Sequence, residues 1–105
     1  MSKGVRLEPS QVLAICQAFR SNFLADDHLW LFGSRANLSK RGGDIDLYIE
    51  TTIQPLQKAM DAKSKFYIQL IKQLGDQKID IVINDNQGSN KLIYNIAKSE
   101  GIQLT

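Results

Sequence analysis

Residues 44–50 alternate strictly between polar and apolar side chains, and this pattern restricts the fold more than any other in the chain. On an extended backbone, neighbouring side chains leave opposite faces, so Asp44 and Asp46 share one face. The other face carries only apolar residues, namely Ile45, Leu47 and Ile49. We therefore predict a strand with one face packed against a hydrophobic core and one face that carries acids.

Two other segments are predicted strands. Residues 28–32 are apolar on both faces, as in a central strand that is covered on both sides, and Gly33 ends them. Residues 78–84 alternate as residues 44–50 do, with Asp80 and Val82 opposite the isoleucines. The chain therefore contains at least three strands of one sheet.

Helical periodicity accounts for most of the remaining sequence. Apolar residues recur at helical spacing over residues 9–24 and 55–74, and Ser89 can cap a last helix that Gly101 ends. The expected buried stripe of the second helix is Leu56, Met60, Tyr67, Leu70, Ile71 and Leu74, and that of the last helix is Leu92, Ile93, Ile96 and Ala97. A solvent-facing position is expected for Tyr48, Glu50, Lys91, Tyr94 and Lys98.

The order of elements defines the expected architecture. With a short helical turn at residues 34–38 and an edge strand at residues 102–104, the order is α-β-α-β-α-β-α followed by that edge strand. We expect an α/β (α+β) protein with a small mixed β-sheet flanked by helices. At 105 residues, the chain is one domain, 1–105.

Composition excludes several classes of protein. The net charge is +2 and the sequence contains no block of like charges, so direct nucleic-acid binding is not expected. The single cysteine, Cys16, lies in an apolar helical pattern and cannot form an internal disulfide. We find neither a signal peptide nor a membrane span, so the cytoplasm is the expected location.

The acidic residues form a candidate metal site. Asp44 and Asp46 leave one face of the predicted strand about 6.6 Å apart, where their like charges repel. A divalent cation would make this arrangement favourable, and Asp80 would complete the site if its strand is a neighbour. The simpler interpretation is a solvated strand face with an exposed edge residue.

The residues after the first strand form a candidate phosphate site. Gly33 at the strand end permits close approach of a phosphate, and Ser34 adds a hydroxyl donor at the start of a helical turn. Arg35, Lys40 and Arg41 add positive charge. Taken alone, Gly-Ser is also compatible with an ordinary strand-to-helix turn that has a serine cap.

Together, the segments Gly33-Ser34-Arg35-Ala36, Gly43-Asp44-Ile45-Asp46-Leu47 and Ile79-Asp80-Ile81-Val82 resemble the minimal nucleotidyltransferases of the DNA polymerase beta superfamily. The resemblance implies the nucleotidyltransferase fold, with two Mg²⁺ ions bound by the first two acids. It further implies that Asp80 completes the metal site and helps to deprotonate the acceptor hydroxyl, and that Gly33 and Ser34 hold the triphosphate of ATP.

The short chain also resembles the antitoxins of this family, which pair with an all-helical HEPN toxin, a ribonuclease. That resemblance implies a hetero-oligomer in which AMP passes from ATP to a toxin tyrosine and silences the ribonuclease. The alternative from another class is a non-catalytic binding module that neutralises or scaffolds its partner by contact. Nucleotide transfer to an RNA end is a third alternative.

Overall fold

The computed structural model describes residues 7–33, 45–75, 78–85 and 91–105. Within these residues, the chain forms three helices and four strands. They are α1 (Pro9–Asn22), β1 (His28–Phe32), β2 (Ile45–Glu50), α2 (Leu56–Leu74), β3 (Ile79–Asn84), α3 (Lys91–Glu100) and β4 (Ile102–Gln103). The predicted helical turn at residues 34–38 and the Ser89 cap lie outside the described part of the chain.

The four strands form one mixed sheet in the order β3-β2-β1-β4. β1 pairs antiparallel with both β2 and β4, whereas β2 and β3 are parallel. Parallel neighbours need a crossover connection, and α2 provides it. The predicted strand positions, the mixed sheet and the neighbouring placement of β2 and β3 are confirmed, so the chain is a small α+β protein.

The sheet separates two layers of helices. α1 and α2 cover one face, where they pack on the apolar residues of β1, β2 and β3, including Leu29, Leu31, Ile45, Leu47, Ile49 and Ile79. α3 covers the other face, where Ala97 packs with Trp30 and Tyr48. As predicted, the isoleucines of β3 face the first layer and Val82 faces the second.

The predicted buried stripe of α2 is wrong at three positions. Leu56, Met60 and Tyr67 are exposed, while the helix is buried through Ala59, Ala62, Phe66 and Leu70. Phe66 meets Phe19 and Phe23 edge-on, at ring-centroid distances of 6.1 and 5.9 Å. Small alanines allow α2 to approach the core closely, so the core face of α2 is the face with Phe66 and two alanines.

The predicted apolar face of α3 is wrong at three of its four positions. Leu92, Ile93 and Ile96 are exposed, and Leu92 is 77% exposed. The helix contacts the sheet through Ala97, as predicted, and through Tyr94, which was predicted to face solvent. Tyr94 stacks on Tyr48 at 5.5 Å between ring centroids, so these rings replace the predicted aliphatic contact.

Two local features fix the ends of these elements. Gly75 ends α2 in the left-handed region, with φ +84°, and its N–H donates to the Ile71 carbonyl at 3.0 Å. The buried carboxylate of Asp27 accepts hydrogen bonds from the Leu24 N–H at 3.0 Å and the Thr51 hydroxyl at 2.6 Å. Among the described residues, no helix is sufficiently long and apolar to cross a membrane.

Candidate active site

Two of the three predicted acids meet in the sheet. Asp46 on β2 lies directly opposite Asp80 on β3 in the parallel ladder. Neighbouring strands are about 4.8 Å apart, and opposite residues point to the same face, so the two carboxylates leave one side of the sheet together. This side is opposite the core of α1 and α2, because the flanking isoleucines face that core. Asp46 is half-buried and Asp80 is exposed.

Gly33 brings the end of β1 to this pair of acids. Phe32, the last residue of β1, is the register partner of Asp46 on the other side of β2. Gly33 follows with φ +76°, a conformation that favours glycine. A Cβ atom at Gly33 would overlap Oδ2 of Asp46, so the absence of a side chain allows the carboxylate to approach the backbone. From the sequence, Gly33 was predicted to let a phosphate approach the backbone. In the structure, the group that approaches the backbone at Gly33 is the Asp46 carboxylate.

The other predicted site residues lie outside the described part of the chain. They are Ser34, Arg35, Lys40 and Arg41 for the triphosphate, and Asp44 for the metal. Their roles stay predictions. Within residues 7–33, 45–75, 78–85 and 91–105, no group of three His, Cys, Asp or Glu residues could hold a metal ion. The pair formed by Asp46 and Asp80 is therefore the described portion of the predicted acidic site.

A partly buried polar network lies two residues beyond Asp46 on the same face. The Tyr48 hydroxyl donates to Oε2 of Glu50 at 2.7 Å and accepts a hydrogen bond from Nδ2 of Asn84 at 3.0 Å. Lys98 of α3 forms an ion pair with Glu50 at 3.1 Å. The network thus joins β2, β3 and α3 beside the acids. The prediction that Tyr48 faces solvent is wrong, whereas the Glu50 side chain is half-buried and 23% exposed.

Aromatic packing explains the burial of Tyr48, which is 0% exposed. Its ring lies between Trp30, at 5.3 Å, and Tyr94, at 5.5 Å, measured between centroids. The ammonium group of Lys98 is 5.2 Å from the centroid of the Trp30 ring. Burial raises the pKa of Tyr48 well above its usual range, and the adjacent Glu50 carboxylate raises it further, so this phenol stays protonated.

The alternation of β2 places Tyr48 on the face of the acids, but it does not predict that a helix covers this face. The aromatic residues of α3 and β1 were the available signal. Trp30 was predicted to be buried and is, whereas Tyr94 was predicted to lie on the solvent face of the last helix and is half-buried. Cys16 is buried as predicted, and burial raises the pKa of its thiol, so it does not have the character of a reactive thiolate.

Comparison of the chain with models of known protein families and with curated proteins found no match.

Proposed function

We propose that this chain is a Mg²⁺-dependent nucleotidyltransferase that transfers a nucleoside monophosphate, AMP from ATP, to a hydroxyl group of a partner protein. The observation that carries the proposal is the direct opposition of Asp46 and Asp80 on one face of the sheet. Like charges in this position repel, and a divalent cation between them would reverse the sign of that interaction. The proximity of Gly33 to Asp46 supports the proposal, because it places a strand end without a side chain at the acids.

The acids suit Mg²⁺, which prefers oxygen ligands and is commonly bound by one or two carboxylates together with substrate phosphates. Asp46 and Asp80 would hold it with Asp44, which the sequence alternation assigns to the face of Asp46. When bound, Mg²⁺ neutralises charge on the phosphates and makes the α-phosphorus more electrophilic. Ser34, with Arg35, Lys40 and Arg41, would bind the triphosphate.

The proposed reaction is an in-line displacement. The hydroxyl oxygen of the acceptor forms a bond to the α-phosphorus of ATP, and the bond from that phosphorus to the bridging oxygen of the β-phosphate breaks. Asp80 accepts the hydroxyl proton. The products are a nucleotidylated protein and pyrophosphate. Asp80 is suited to this role because it is exposed at the sheet edge, where an acceptor has access.

The proposed acceptor comes from the resemblance to minimal nucleotidyltransferase antitoxins. It is a HEPN-type ribonuclease toxin encoded next to this chain, and modification of one of its tyrosines would silence it. The two proteins would form a hetero-oligomer in the cytoplasm.

One observation favours the second candidate function, neutralisation of a partner by contact alone. Leu92, Ile93 and Ile96 form an exposed apolar face on α3. Large exposed apolar patches often mark protein-binding surfaces. The exposed apolar residues belong to α3 and the acids to β2 and β3, so separate substitutions can distinguish contact from catalysis.

The direct experiment is incubation of the chain with labelled ATP, Mg²⁺ and the product of the adjacent gene, followed by mass spectrometry of that product. We expect a mass increase of one or more nucleotidyl groups. The increase should disappear with EDTA and in the variants Asp46→Asn and Asp80→Asn. Asp61→Asn, which changes an exposed acid on α2, is the matched control and should retain transfer.

Two outcomes would contradict the proposal. One is the absence of a mass increase with any nucleoside triphosphate. The other is silencing of the partner by Asp46→Asn at the wild-type level, because contact alone would then explain the effect. If substitution of Leu92 by Lys abolishes silencing while Asp46→Asn does not, the contact function replaces the enzymatic one.

A further inference from the structure

Successive pairs of opposed residues line one face of the ladder formed by β2 and β3. They are Asp46 with Asp80, Tyr48 with Val82, and Glu50 with Asn84. At the far end of the ladder, the Thr51 N–H donates to the Asn84 carbonyl at 3.0 Å. The acids therefore lie at one end of this face, and the polar network around Tyr48 lies at the other.

A side-chain bridge spans the two strands at the end of the ladder away from the acids. The Tyr48 hydroxyl donates to Glu50 of its own strand at 2.7 Å and accepts a hydrogen bond from the Asn84 amide of β3 at 3.0 Å. Lys98 of α3 holds Glu50 through an ion pair at 3.1 Å. Parallel pairing is slightly less stable per residue than antiparallel pairing, so the bridge adds restraint to the weaker kind of ladder.

The bridge has little freedom to move, because the Tyr48 ring is packed on both sides. It lies between the rings of Trp30 and Tyr94 and is 0% exposed. Close-packed interiors are barely compressible, so a ring held in this way keeps its hydroxyl in place. The hydroxyl thus restrains Asn84, and with it the end of β3, relative to β2.

We propose that Tyr48 is a positioning residue for the acidic pair: its bridge to β3 holds Asp80 at the distance from Asp46 at which both carboxylates bind the same divalent cation. This role depends on the proposed function, because it acts on the proposed metal site. Opposed carboxylates repel, and their repulsion acts to separate the strands. The bridge resists this separation two residues from Asp46 on β2 and four residues from Asp80 on β3.

Tyr48 acts on the cation through the acids and is not itself a ligand. Its ring is 0% exposed, and its oxygen is engaged by Glu50 and Asn84. Ligands that are already at the correct separation bind an ion more tightly, since the ion need not draw them together. Removal of the hydroxyl should therefore weaken metal binding even in a fully folded protein.

Binding of Mn²⁺ to the folded protein, measured by electron paramagnetic resonance, tests the proposal without nucleotide or partner. Mn²⁺ shares the preference of Mg²⁺ for carboxylate and water oxygens. Tyr48→Phe keeps the ring and removes only the hydroxyl. It should raise the Mn²⁺ dissociation constant about 10-fold, the lower end of the effect of residues that orient metal ligands. Asp46→Asn should abolish this binding.

Tyr94→Phe is the matched control. It removes a hydroxyl from the same aromatic stack, where the hydrogen bond from Tyr94 to the Ile83 carbonyl is 3.5 Å long. This variant should bind Mn²⁺ as the wild type does. A role of Tyr48 in stability alone would lower the unfolding free energy of Tyr48→Phe but leave the Mn²⁺ affinity of the folded protein unchanged.

A second substitution tests whether the hydroxyl acts through Asn84. In an Asn84→Ala background, where the bridge is already broken, Tyr48→Phe should raise the dissociation constant by less than about 2-fold. Amide hydrogen exchange gives a readout without metal. The Thr51 N–H, which donates to the Asn84 carbonyl, should exchange faster in Tyr48→Phe than in the wild type and in Tyr94→Phe.

The outcomes separate the positioning role from the proposed activity. Wild-type Mn²⁺ affinity in Tyr48→Phe would overturn the positioning role and leave the proposed activity standing. Equal losses of affinity from Tyr48→Phe in both backgrounds would also overturn it, since the hydroxyl would then not act through Asn84. Absence of Mn²⁺ binding by the folded wild type would contradict the metal site together with its positioning.

Discussion

Asp46 on β2 and Asp80 on β3 lie directly opposite each other in a parallel ladder, so both carboxylates leave the same face of the sheet. Each acid would be unremarkable alone, since exposed acids on strands are common. Like charges on neighbouring strands repel, so we expect their direct opposition to cost stability when no cation is bound. Such a cost is typical of binding and catalytic sites, where function opposes stability.

The opposition of the acids predicts that neutralising one of them stabilises the protein in the absence of metal. Asp80→Asn should raise the free energy of unfolding by about 0.2–1 kcal/mol, the range for cross-strand pairs. Urea unfolding in EDTA measures this change. Asp61→Asn on α2 should give no such gain. A loss of stability in Asp80→Asn would show that the carboxylate is stabilising without a cation.

The close approach of Asp46 to Gly33 predicts that the stability loss on substituting Gly33 depends on the Asp46 side chain. Gly33→Ala adds a Cβ that overlaps the Asp46 carboxylate and places alanine at φ +76°, so we expect a loss of about 1–3 kcal/mol. Gly75→Ala is the matched control: its φ is +84°, but no atom lies within 4 Å of the added Cβ. Its loss should come from the backbone alone, about 1–3 kcal/mol, and should be smaller than that of Gly33→Ala.

The two glycine effects separate in a double-mutant cycle measured by urea unfolding. In an Asp46→Ala background, Gly33→Ala should cost about as much as Gly75→Ala does, since the overlap has been removed. Equal costs of Gly33→Ala in both backgrounds would mean that the Asp46 carboxylate does not limit this position.

The burial of Tyr48 predicts that the free energy of unfolding decreases at high pH. Burial raises its pKa in the folded protein above the value in the unfolded chain, so folding favours the protonated phenol. Its contribution is complete below the unfolded pKa of about 10 and is lost progressively as the pH rises above that value. The unfolding free energy of the wild type should therefore fall more steeply than that of Tyr48→Phe between pH about 9 and about 11. Parallel slopes would contradict this assignment.

The observed faces of α2 and α3 predict opposite effects for large apolar residues. Phe66→Ala should cost about 3–5 kcal/mol, because Phe66 is fully buried among aromatic rings. Met60→Lys and Leu92→Lys should change stability by less than about 0.5 kcal/mol, since both positions are exposed. Thermal or urea unfolding of the three variants measures the difference. A large loss in Leu92→Lys would support the face predicted from the sequence.

The strands could be predicted from the sequence because a period of two leaves few alternatives. His28–Phe32 is predicted with its observed bounds, and the alternation of residues 79–84 places Asp80 opposite the core. The faces of α2 and α3 could be predicted only in part, at positions such as Leu70 and Ala97, since both helices carry apolar residues on more than one side. Hydrophobicity favours Leu56 and Leu92, whereas close packing against the sheet and α1 favours Ala59, Ala62 and Ala97.

In the candidate site, too, the features that depend on the strands could be predicted and those that depend on helix packing could not. The alternation identifies which acids share a face, and the parallel register of β2 and β3 brings Asp46 and Asp80 together as expected for neighbouring strands. The network around Tyr48 depends on where α3 packs, and a contact between residues 36 positions apart, such as Tyr48 with Asn84, has no local sequence signal.

Titration calorimetry of ATP binding, with and without Mg²⁺, tests the central claim most directly. The wild type and Asp61→Asn should bind ATP only when Mg²⁺ is present, and Asp46→Asn and Asp80→Asn should lose this Mg²⁺-dependent binding. Absence of binding by the folded wild type, or equal binding by Asp46→Asn, would contradict the assignment of the two opposed acids to a metal and nucleotide site.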